Sequence, residues 1–164
     1  MILGTSDPVK KIRVGWFSFS CCEDSTIIFT ELLNTHYDEW GKILDIRAAR
    51  VLRKKEDLKD LDISFVEGAI ASKRDAGKLK KIRKNSKVLV AIGACACDGM
   101  SAAQRNTFNE EQKAEIQDEV KKFNLLKKTL PLNKIVRVDD YVQGCPMSEQ
   151  MFLQTLDKYI RRMV

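Results

Sequence analysis

The apolar run from Val88 to Ile92 constrains the fold of this 164-residue chain more than any other segment. It is rich in β-branched residues and bounded by Lys87 and Gly93, which predicts a strand over 87–93. Because the run is apolar without alternation, both faces of this strand are expected to be buried, as in a parallel sheet covered by helices. The remaining segments are therefore interpreted as parts of an α/β domain.

Strands and helices are predicted to alternate along the rest of the chain. Further strands are expected over 11–17, 42–51, 62–68 and 135–138. Apolar residues at helical spacing predict helices over 24–40, 73–84, 110–123 and 148–163. This alternation predicts a flavodoxin-like, doubly wound parallel sheet. Without repeats or a linker, residues 1–164 are expected to form a single domain.

Composition and charge narrow the class of protein. The chain is 44% apolar and 32% charged, which is ordinary for a soluble globular protein. It has no run of about 18 apolar residues and no secretory signal pattern at its start, so a cytoplasmic location is expected. The net charge of +6 raises the question of nucleic acid. The basic residues are mixed with acidic ones and have no aromatic residues between them, which favours a solvated helix face over a nucleic-acid surface. A docking face for an acidic partner protein is the remaining alternative.

The five cysteines fall into three groups, and each group directly follows a predicted strand. Cys21 and Cys22 follow the first strand, Cys95 and Cys97 follow the buried strand, and Cys145 follows the last. Ligands of open parallel sheets collect outside the carboxyl ends of the strands, so these groups are expected to converge. A reducing compartment disfavours disulfides, which leaves a metal or redox role.

The pattern around the cysteines favours an iron–sulfur cluster over zinc. Structural zinc sites usually contain Cys-x₂₋₄-Cys pairs, and the chain has none. Thiolates from separate loops suit a cubane cluster, in which each iron takes one thiolate. Gly93, Gly99 and Gly144 would leave room for a bulky group, and Pro146 beside Cys145 resembles the Cys-Pro end of many iron–sulfur ligand runs.

One [4Fe–4S] cluster is therefore predicted, with the ligands Cys21, Cys22, Cys95 and Cys145. Cys97 is interpreted as a spare, buried small side chain. Neighbouring residues of an extended strand point to opposite faces, so this ligand set requires a sharp bend at Cys21 and Cys22.

Other kinds of site find less support in the sequence. A cysteine nucleophile needs a nearby base, but the single histidine, His36, lies inside a predicted helix. Neither common glycine-rich phosphate loop is present. A flavodoxin-like binding module with a structural zinc remains the non-redox alternative.

Four motifs occur in the order found in one known family. They are Ser20-Cys21-Cys22-Glu23 and the segments 65–70, 91–96 and 142–146. Together they resemble the small subunit of nickel–iron hydrogenases and the related 20-kilodalton subunit of NADH:quinone oxidoreductase. The resemblance implies a flavodoxin-like domain that holds the [4Fe–4S] cluster nearest the large subunit, and Cys22, Cys95 and Cys145 match the ligand positions.

Some segments resemble the hydrogenase small subunit and others resemble the quinone oxidoreductase subunit. Hydrogenase small subunits usually carry Cys-x-x-Cys at the first turn, whose first position is Phe19 here. The adjacent Cys21 and Cys22 are instead similar to the tandem cysteines of the quinone oxidoreductase subunit. The segment 98–106, followed by Phe108, resembles the short small subunit of cytoplasmic, cofactor-coupled hydrogenases.

The resemblance implies a subunit that is not itself catalytic. It would relay electrons through one [4Fe–4S] cluster between a large nickel–iron subunit and further electron-transfer subunits, without nucleic acid or a membrane span of its own. The alternative is a peripheral-arm subunit of a quinone-reducing or ion-pumping complex. Glu67 is expected to support the cluster loop, meet the partner or cap backbone N–H groups. Arg105 is expected to pair with the cluster or the partner, or to lie on the surface. Trp16, Phe17 and Phe19 are expected to exclude water.

Overall fold

A five-stranded parallel sheet forms the centre of the molecule, whose computed structural model describes residues 11–163. The spatial order is β2-β1-β3-β5-β7, and every neighbouring pair is parallel. The strands are β1 (Ile12–Ser18), β2 (Leu44–Ala49), β3 (Leu61–Glu67), β5 (Ser86–Ile92) and β7 (Asp140–Val142). This is the order of a flavodoxin-like doubly wound sheet, so the predicted fold class is confirmed.

Helices cover both faces of this sheet. They are α1 (Asp24–Thr35), α2 (Tyr37–Ile43), α3 (Lys73–Lys84), α4 (Gly93–Asp98), α5 (Glu110–Glu115), α6 (Gln117–Lys122) and α7 (Glu149–Met163). Short 3₁₀ helices span Gln104–Thr107 and Leu132–Lys134. Within residues 11–163, no helix combines the length and the apolar character that crossing a membrane requires.

A second, two-stranded sheet lies outside the main one. Its strands are β4 (Ile70–Ser72), which follows the carboxyl end of β3, and β6 (Leu125–Leu130). They pair antiparallel, with Ile70 opposite Leu130. Neither strand was predicted from the sequence, because β4 is only three residues long and β6 contains two lysines.

The core is divided between the two faces of the main sheet. Side chains alternate along β1, so Trp16 packs with Phe65 and Phe152 on one face while Phe17 belongs to the core cluster on the other. All seven residues of the central strand β3 are buried. Burial on both faces was expected for β5, which is buried from Leu89 to Ile92 but exposes Lys87.

The last predicted strand, over 135–138, is wrong. The strand in this part of the chain is β7, which begins at Asp140, two residues after the predicted strand ends. It pairs with Val90–Ile92 of β5. Ile135, Val136 and Val138 contribute apolar side chains to the core without joining the ladder. Their burial explains why this segment resembled a strand in the sequence.

Two predicted helices are interrupted. The first ends at His36 and resumes as α2, so the second strand begins at Leu44 rather than at residue 42. The helix predicted over 110–123 is broken at Ile116 into α5 and α6. Phe123, at the end of this predicted helix, is 62% exposed.

Candidate metal centre

A cavity opens at the carboxyl ends of β1, β3, β5 and β7. It encloses about 240 Å³, part of which is open to solvent. All four predicted ligands line it, together with residues of the same loops: Cys21, Cys22, Ser25, Glu67, Ile92, Gly93, Ala94, Cys95, Gly144, Cys145 and Pro146. The fold therefore brings together cysteines from three segments of the chain, namely the turn after β1, the helix α4 and the turn after β7, of which the first and last are more than a hundred residues apart.

The cysteine loop after β1 bends within a few residues. Ser20 is still extended and exchanges two backbone hydrogen bonds with Ala69, at 3.1 and 3.0 Å. Glu23 already has a left-handed backbone, with φ of 66°, and α1 begins at Asp24. Cys21 and Cys22 lie between these points, so the chain turns sharply at the pair.

The four cavity cysteines differ in exposure. Cys22 and Cys145 are exposed, Cys21 is half-buried and Cys95 is buried. Burial, and then the nearby carboxylate of Glu67, raise the pKa of Cys21 to about 12. A thiol in this environment deprotonates when a metal cation binds it, so loading the site would release protons.

Cys97 lies outside the cavity. It belongs to α4, is 4% exposed and packs in the core. Its Sγ lies 3.7 Å from the carbonyl oxygen of Ala91 and 3.8 Å from that of Val142. Burial raises the pKa of this thiol to about 12. Residues two positions apart on a helix point in different directions, which separates Cys97 from Cys95.

Glu67 joins the end of β3 to the beginning of α1. Its carboxylate is 3% exposed and accepts the backbone N–H of Ser25 at 3.1 Å and the hydroxyl of Thr26 at 2.6 Å. The Thr26 oxygen in turn accepts the indole N–H of Trp16 at 2.8 Å. A carboxylate at a helix N-terminus is favourable, so these bonds both cap α1 and support the loop that carries Cys22.

Hydrogen bonds that involve no cysteine connect the three segments that carry the cysteines. The N–H of Ala94 donates to the carbonyl of Gly144 at 2.8 Å, which joins the start of α4 to the loop of Cys145. The N–H of Met147 donates to Ser25 Oγ at 3.2 Å, which joins the loop of Cys145 to α1. The loops are thus positioned by the protein frame itself.

Two glycines allow the loops to approach so closely. Gly93 and Gly144 have φ angles of +77° and +119°, in the region that favours glycine. A Cβ atom on Gly144 would lie 2.5 Å from the carbonyl oxygen of Pro146, and one on Gly93 would lie 3.1 Å from Ser25 Oγ. Larger residues at these positions would displace the loops of Cys95 and Cys145.

The donors in the cavity fit an iron–sulfur cluster better than a single zinc ion. Among residues 11–163, no three histidine, cysteine, aspartate or glutamate side chains lie close enough together to hold one metal ion. Tetrahedral zinc with Zn–S bonds of about 2.3 Å would bring its sulfurs to roughly 3.8 Å of one another. Thiols on separate walls of one cavity suit a larger group whose iron atoms each bind one cysteine.

Several residues singled out in the sequence lie elsewhere. Trp16 and Phe17 belong to the two halves of the core and do not line the cavity. His36 stacks on Trp40, with ring centroids 4.9 Å apart, and its Nδ1 lies 3.5 Å from a carboxylate oxygen of Glu39. Phe19 packs partly buried against the same cluster as Phe17 and does not line the cavity either, so none of the three aromatic residues expected to exclude water borders the site.

Arg105 is held against β6 rather than at the cavity. Its guanidinium donates to the carbonyl of Leu126 at 2.7 Å and to Thr129 Oγ at 3.0 Å. The expected pairing with a cluster is therefore not what the structure shows for this arginine.

Ser25 is the site residue whose role the sequence did not reveal. It lies in the first turn of α1 and is 3% exposed. Its hydroxyl contacts a residue 122 positions away, and no local pattern indicates such a contact.

Comparison with known proteins agrees with this fold. The family model of the NADH ubiquinone oxidoreductase 20 Kd subunit matches residues 21–159. The chain is 24% identical to the NAD-reducing hydrogenase HoxS subunit delta of Cupriavidus necator, covering 92% of this chain and 79% of that subunit. It is 29% identical to the coenzyme F420 hydrogenase subunit gamma of Methanosarcina barkeri, covering 87% of this chain but only 51% of that subunit.

A solved structure is similar over nearly the full length. A chain of an NAD⁺-reducing [NiFe]-hydrogenase in its H₂-reduced state superposes with a TM-score of 0.81, at 25% identity and with 93% of each chain covered. The resemblance expected from the four sequence motifs is confirmed by these matches. The chain belongs to the family of the NADH ubiquinone oxidoreductase 20 Kd subunit.

Proposed function

We propose that this chain is the electron-transfer small subunit of a cytoplasmic nickel–iron hydrogenase and holds one [4Fe–4S] cluster. The observation that carries the proposal is the single cavity lined by Cys21, Cys22, Cys95 and Cys145. A single domain over residues 1–164 that is not itself catalytic is part of the same proposal. When bound, the cluster supplies one-electron chemistry, and the four thiolates would each bind one iron.

The surrounding residues would perform three tasks. Glu67 would hold the beginning of α1, and with it Cys22, through its bonds to Ser25 and Thr26. The bond between Ala94 and Gly144 would keep Cys95 and Cys145 at a constant separation. The cavity has an apolar wall, formed by Ile92, Ala94 and Pro146, that would limit the access of water.

The exposure of two ligands supports a role within a complex. Cys22 and Cys145 lie on the open side of the cavity. A second subunit covering this side would bring its own redox centre near the site and exclude solvent. We infer that this is the large nickel–iron subunit, while further electron-transfer subunits receive or deliver the electrons.

The relatives favour the hydrogenase assignment over the respiratory alternative. The two curated relatives described above are named as hydrogenase subunits, and so is the protein of the solved structure. Their names mention different acceptors, NAD and coenzyme F420, so the acceptor used with this chain is outside the proposal.

The test is anaerobic purification of the complex from its native host through a tag on this chain. We expect the large partner to contain nickel, and exposure to hydrogen alone to produce the electron paramagnetic resonance signal of a reduced cubane. A Cys22→Ser variant of the same complex should lack that signal. A nickel-free partner together with no response to hydrogen would overturn the hydrogenase assignment and favour the quinone-reducing alternative.

A further inference from the structure

A groove separate from the cysteine cavity runs between helices α5 and α6 and strand β6. It encloses about 1410 Å³, part of which is open to solvent. Ala114, Ile116 and Val120 give it an apolar side, and Arg105, Lys127 and Lys128 border it. No residue lines both the groove and the cysteine cavity. The groove is therefore a distinct feature of the surface.

Helices α5 and α6 are not packed into the core of the described chain. Neither contains a buried residue, whereas α3 buries Leu79 and Ile82 completely. Ile116 and Val120 are only half-buried, and Phe123 just after α6 is 62% exposed. A helix usually buries its apolar stripe, so this stripe lacks a covering element within residues 11–163.

The groove is strongly positive. Five of its lining residues are cationic, namely Arg105, Lys113, Lys121, Lys127 and Lys128, and one is anionic, namely Glu110. Glu110 is already paired with Lys113, with 2.7 Å between Nζ and Oε1. Lys127 and Lys128 form no ion pair with any residue of the described range. A ligand carrying carboxylates would therefore find available cations here.

Arg105 adds a cation at the base of the groove. Its guanidinium bonds to the carbonyls of Leu126 and Lys127 and to the hydroxyl of Thr129, but it pairs with no carboxylate of residues 11–163. Partial burial lowers the pKa of Arg105. A carboxylate of a partner would supply the counter-charge that Arg105 lacks within residues 11–163.

The free edge of β6 restricts how a partner docks. Asn106 exchanges two hydrogen bonds with the backbone of Thr129, each 2.8 Å long, and Arg105 covers the carbonyl of Leu126. These side chains occupy the places that an added strand would use. Docking through side chains, as an amphipathic helix does, remains available.

We propose that this groove docks an acidic, amphipathic segment of a partner protein. Apolar side chains of the segment would cover Ile116 and Val120, and its carboxylates would pair with Lys127 and Lys128. None of the groove's lining residues in the described chain is aromatic, so it has no stacking surface for bases, and a protein is favoured over nucleic acid. This inference goes beyond the proposed cluster function and does not require the cluster.

Zero-length cross-linking tests the proposal directly. A carbodiimide joins a lysine amine to a carboxylate that contacts it, and we would apply it to the complex purified through a tag on this chain. Mass spectrometry is expected to find Lys127 or Lys128 joined to an aspartate or glutamate of another protein. Cross-links from these lysines only to residues of this same chain would overturn the proposal.

Charge reversal supplies the matched control. The double variant Lys127→Glu/Lys128→Glu is expected to weaken retention of the cross-linked partner at least about tenfold. Lys80→Glu/Lys81→Glu changes the net charge equally on the exposed side of α3 and should change retention less than about twofold. Circular dichroism verifies that both variants fold. Equal retention by the two variants would contradict the proposal.

Two further measurements separate the possible failures. A Cys22→Ser variant should keep the groove's partner even if it loses the cluster, so the two proposals fail independently. Nuclease treatment separates a protein partner from nucleic acid. If the Lys127→Glu/Lys128→Glu variant and its control retain their partners equally after this treatment, the groove binds nucleic acid and the proposal is wrong.

Discussion

The hydroxyl oxygen of Ser25 accepts the backbone N–H of Met147 at 3.2 Å, across 122 positions of sequence. Ser25 lies in the first turn of α1, just after Cys22, and Met147 lies in the turn just after Cys145. Both residues are buried. This single bond therefore ties the first and last cysteine loops together.

Replacing Ser25 tests the importance of that tie. In Ser25→Ala the buried N–H of Met147 loses its acceptor, which should lower the free energy of unfolding by about 1–3 kcal/mol. Urea unfolding of the metal-free chain measures the change. Thr35→Ala, which removes an exposed hydroxyl from the end of the same helix, is expected to have an effect within about 0.5 kcal/mol. Equal losses in both variants would contradict this role.

The iron content of two variants tests whether Cys21, rather than Cys97, is a cluster ligand. Cys97 lies in the core, so Cys97→Ala should keep all of its iron and lose only about 1 kcal/mol of stability. Cys21 lines the cavity, so Cys21→Ser should lose at least about a quarter of its iron, since each iron takes one thiolate. Iron analysis after anaerobic purification checks both. Full iron in Cys21→Ser with loss in Cys97→Ala would refute the ligand set.

The ion pairs of Asp62 predict that the stability of the fold depends on pH. Asp62 lies near the start of β3, at the end of the strand away from the cysteine cavity. Burial opposes its charge, but hydrogen bonds from Arg13 and Lys87 outweigh burial and hold the pKa of this carboxyl well below its usual range. A lowered pKa stabilises the fold above the unfolded pKa of about 3.9, and this contribution disappears as the pH falls below that value.

Comparing Asp62→Asn with the parent chain measures this contribution. The variant should lose about 1–3 kcal/mol at pH 7. The difference should be nearly constant from pH 7 to about pH 5 and shrink below about pH 4. Urea unfolding at each pH provides the values. Asp60→Asn is the control, because Asp60 is 81% exposed and 4.0 Å from Arg13. A difference that grew on acidification would contradict the assignment.

Asn106 is expected to stabilise the second sheet. Its amide satisfies both the N–H and the carbonyl of Thr129, a residue that is 1% exposed. Asn106→Ala would leave both groups without partners and should cost about 1–3 kcal/mol. Thr107→Ala removes an exposed hydroxyl from the same short helix and should change stability by less than about 0.5 kcal/mol. Thermal unfolding of both variants tests this difference.

Strands with strong local signals were predictable from the sequence. The apolar runs of β1, β3 and β5 gave strand positions within one residue or so of those found, and their burial implied the parallel sheet. Once the sheet was parallel, the cysteines that follow its strands had to meet at one edge. The convergence of Cys21, Cys22, Cys95 and Cys145 was therefore available from topology alone.

Features that depend on distant partners were not predictable. β6 is a strand because it pairs with β4 and because Arg105 and Asn106 satisfy its other edge, not because of its own composition. The segment 135–138 is apolar because it packs in the core, which the sequence cannot distinguish from strand pairing. The role of Ser25 depends on Met147 and has the same cause.

Analysis of iron and acid-labile sulfide in the anaerobically purified chain is the decisive test of cluster binding. One [4Fe–4S] cluster corresponds to about four iron and about four sulfide per chain, and both should fall clearly in Cys22→Ser and Cys95→Ser. Near-zero sulfide, or one tightly bound zinc per chain in its place, would contradict the claim that these cysteines hold a [4Fe–4S] cluster.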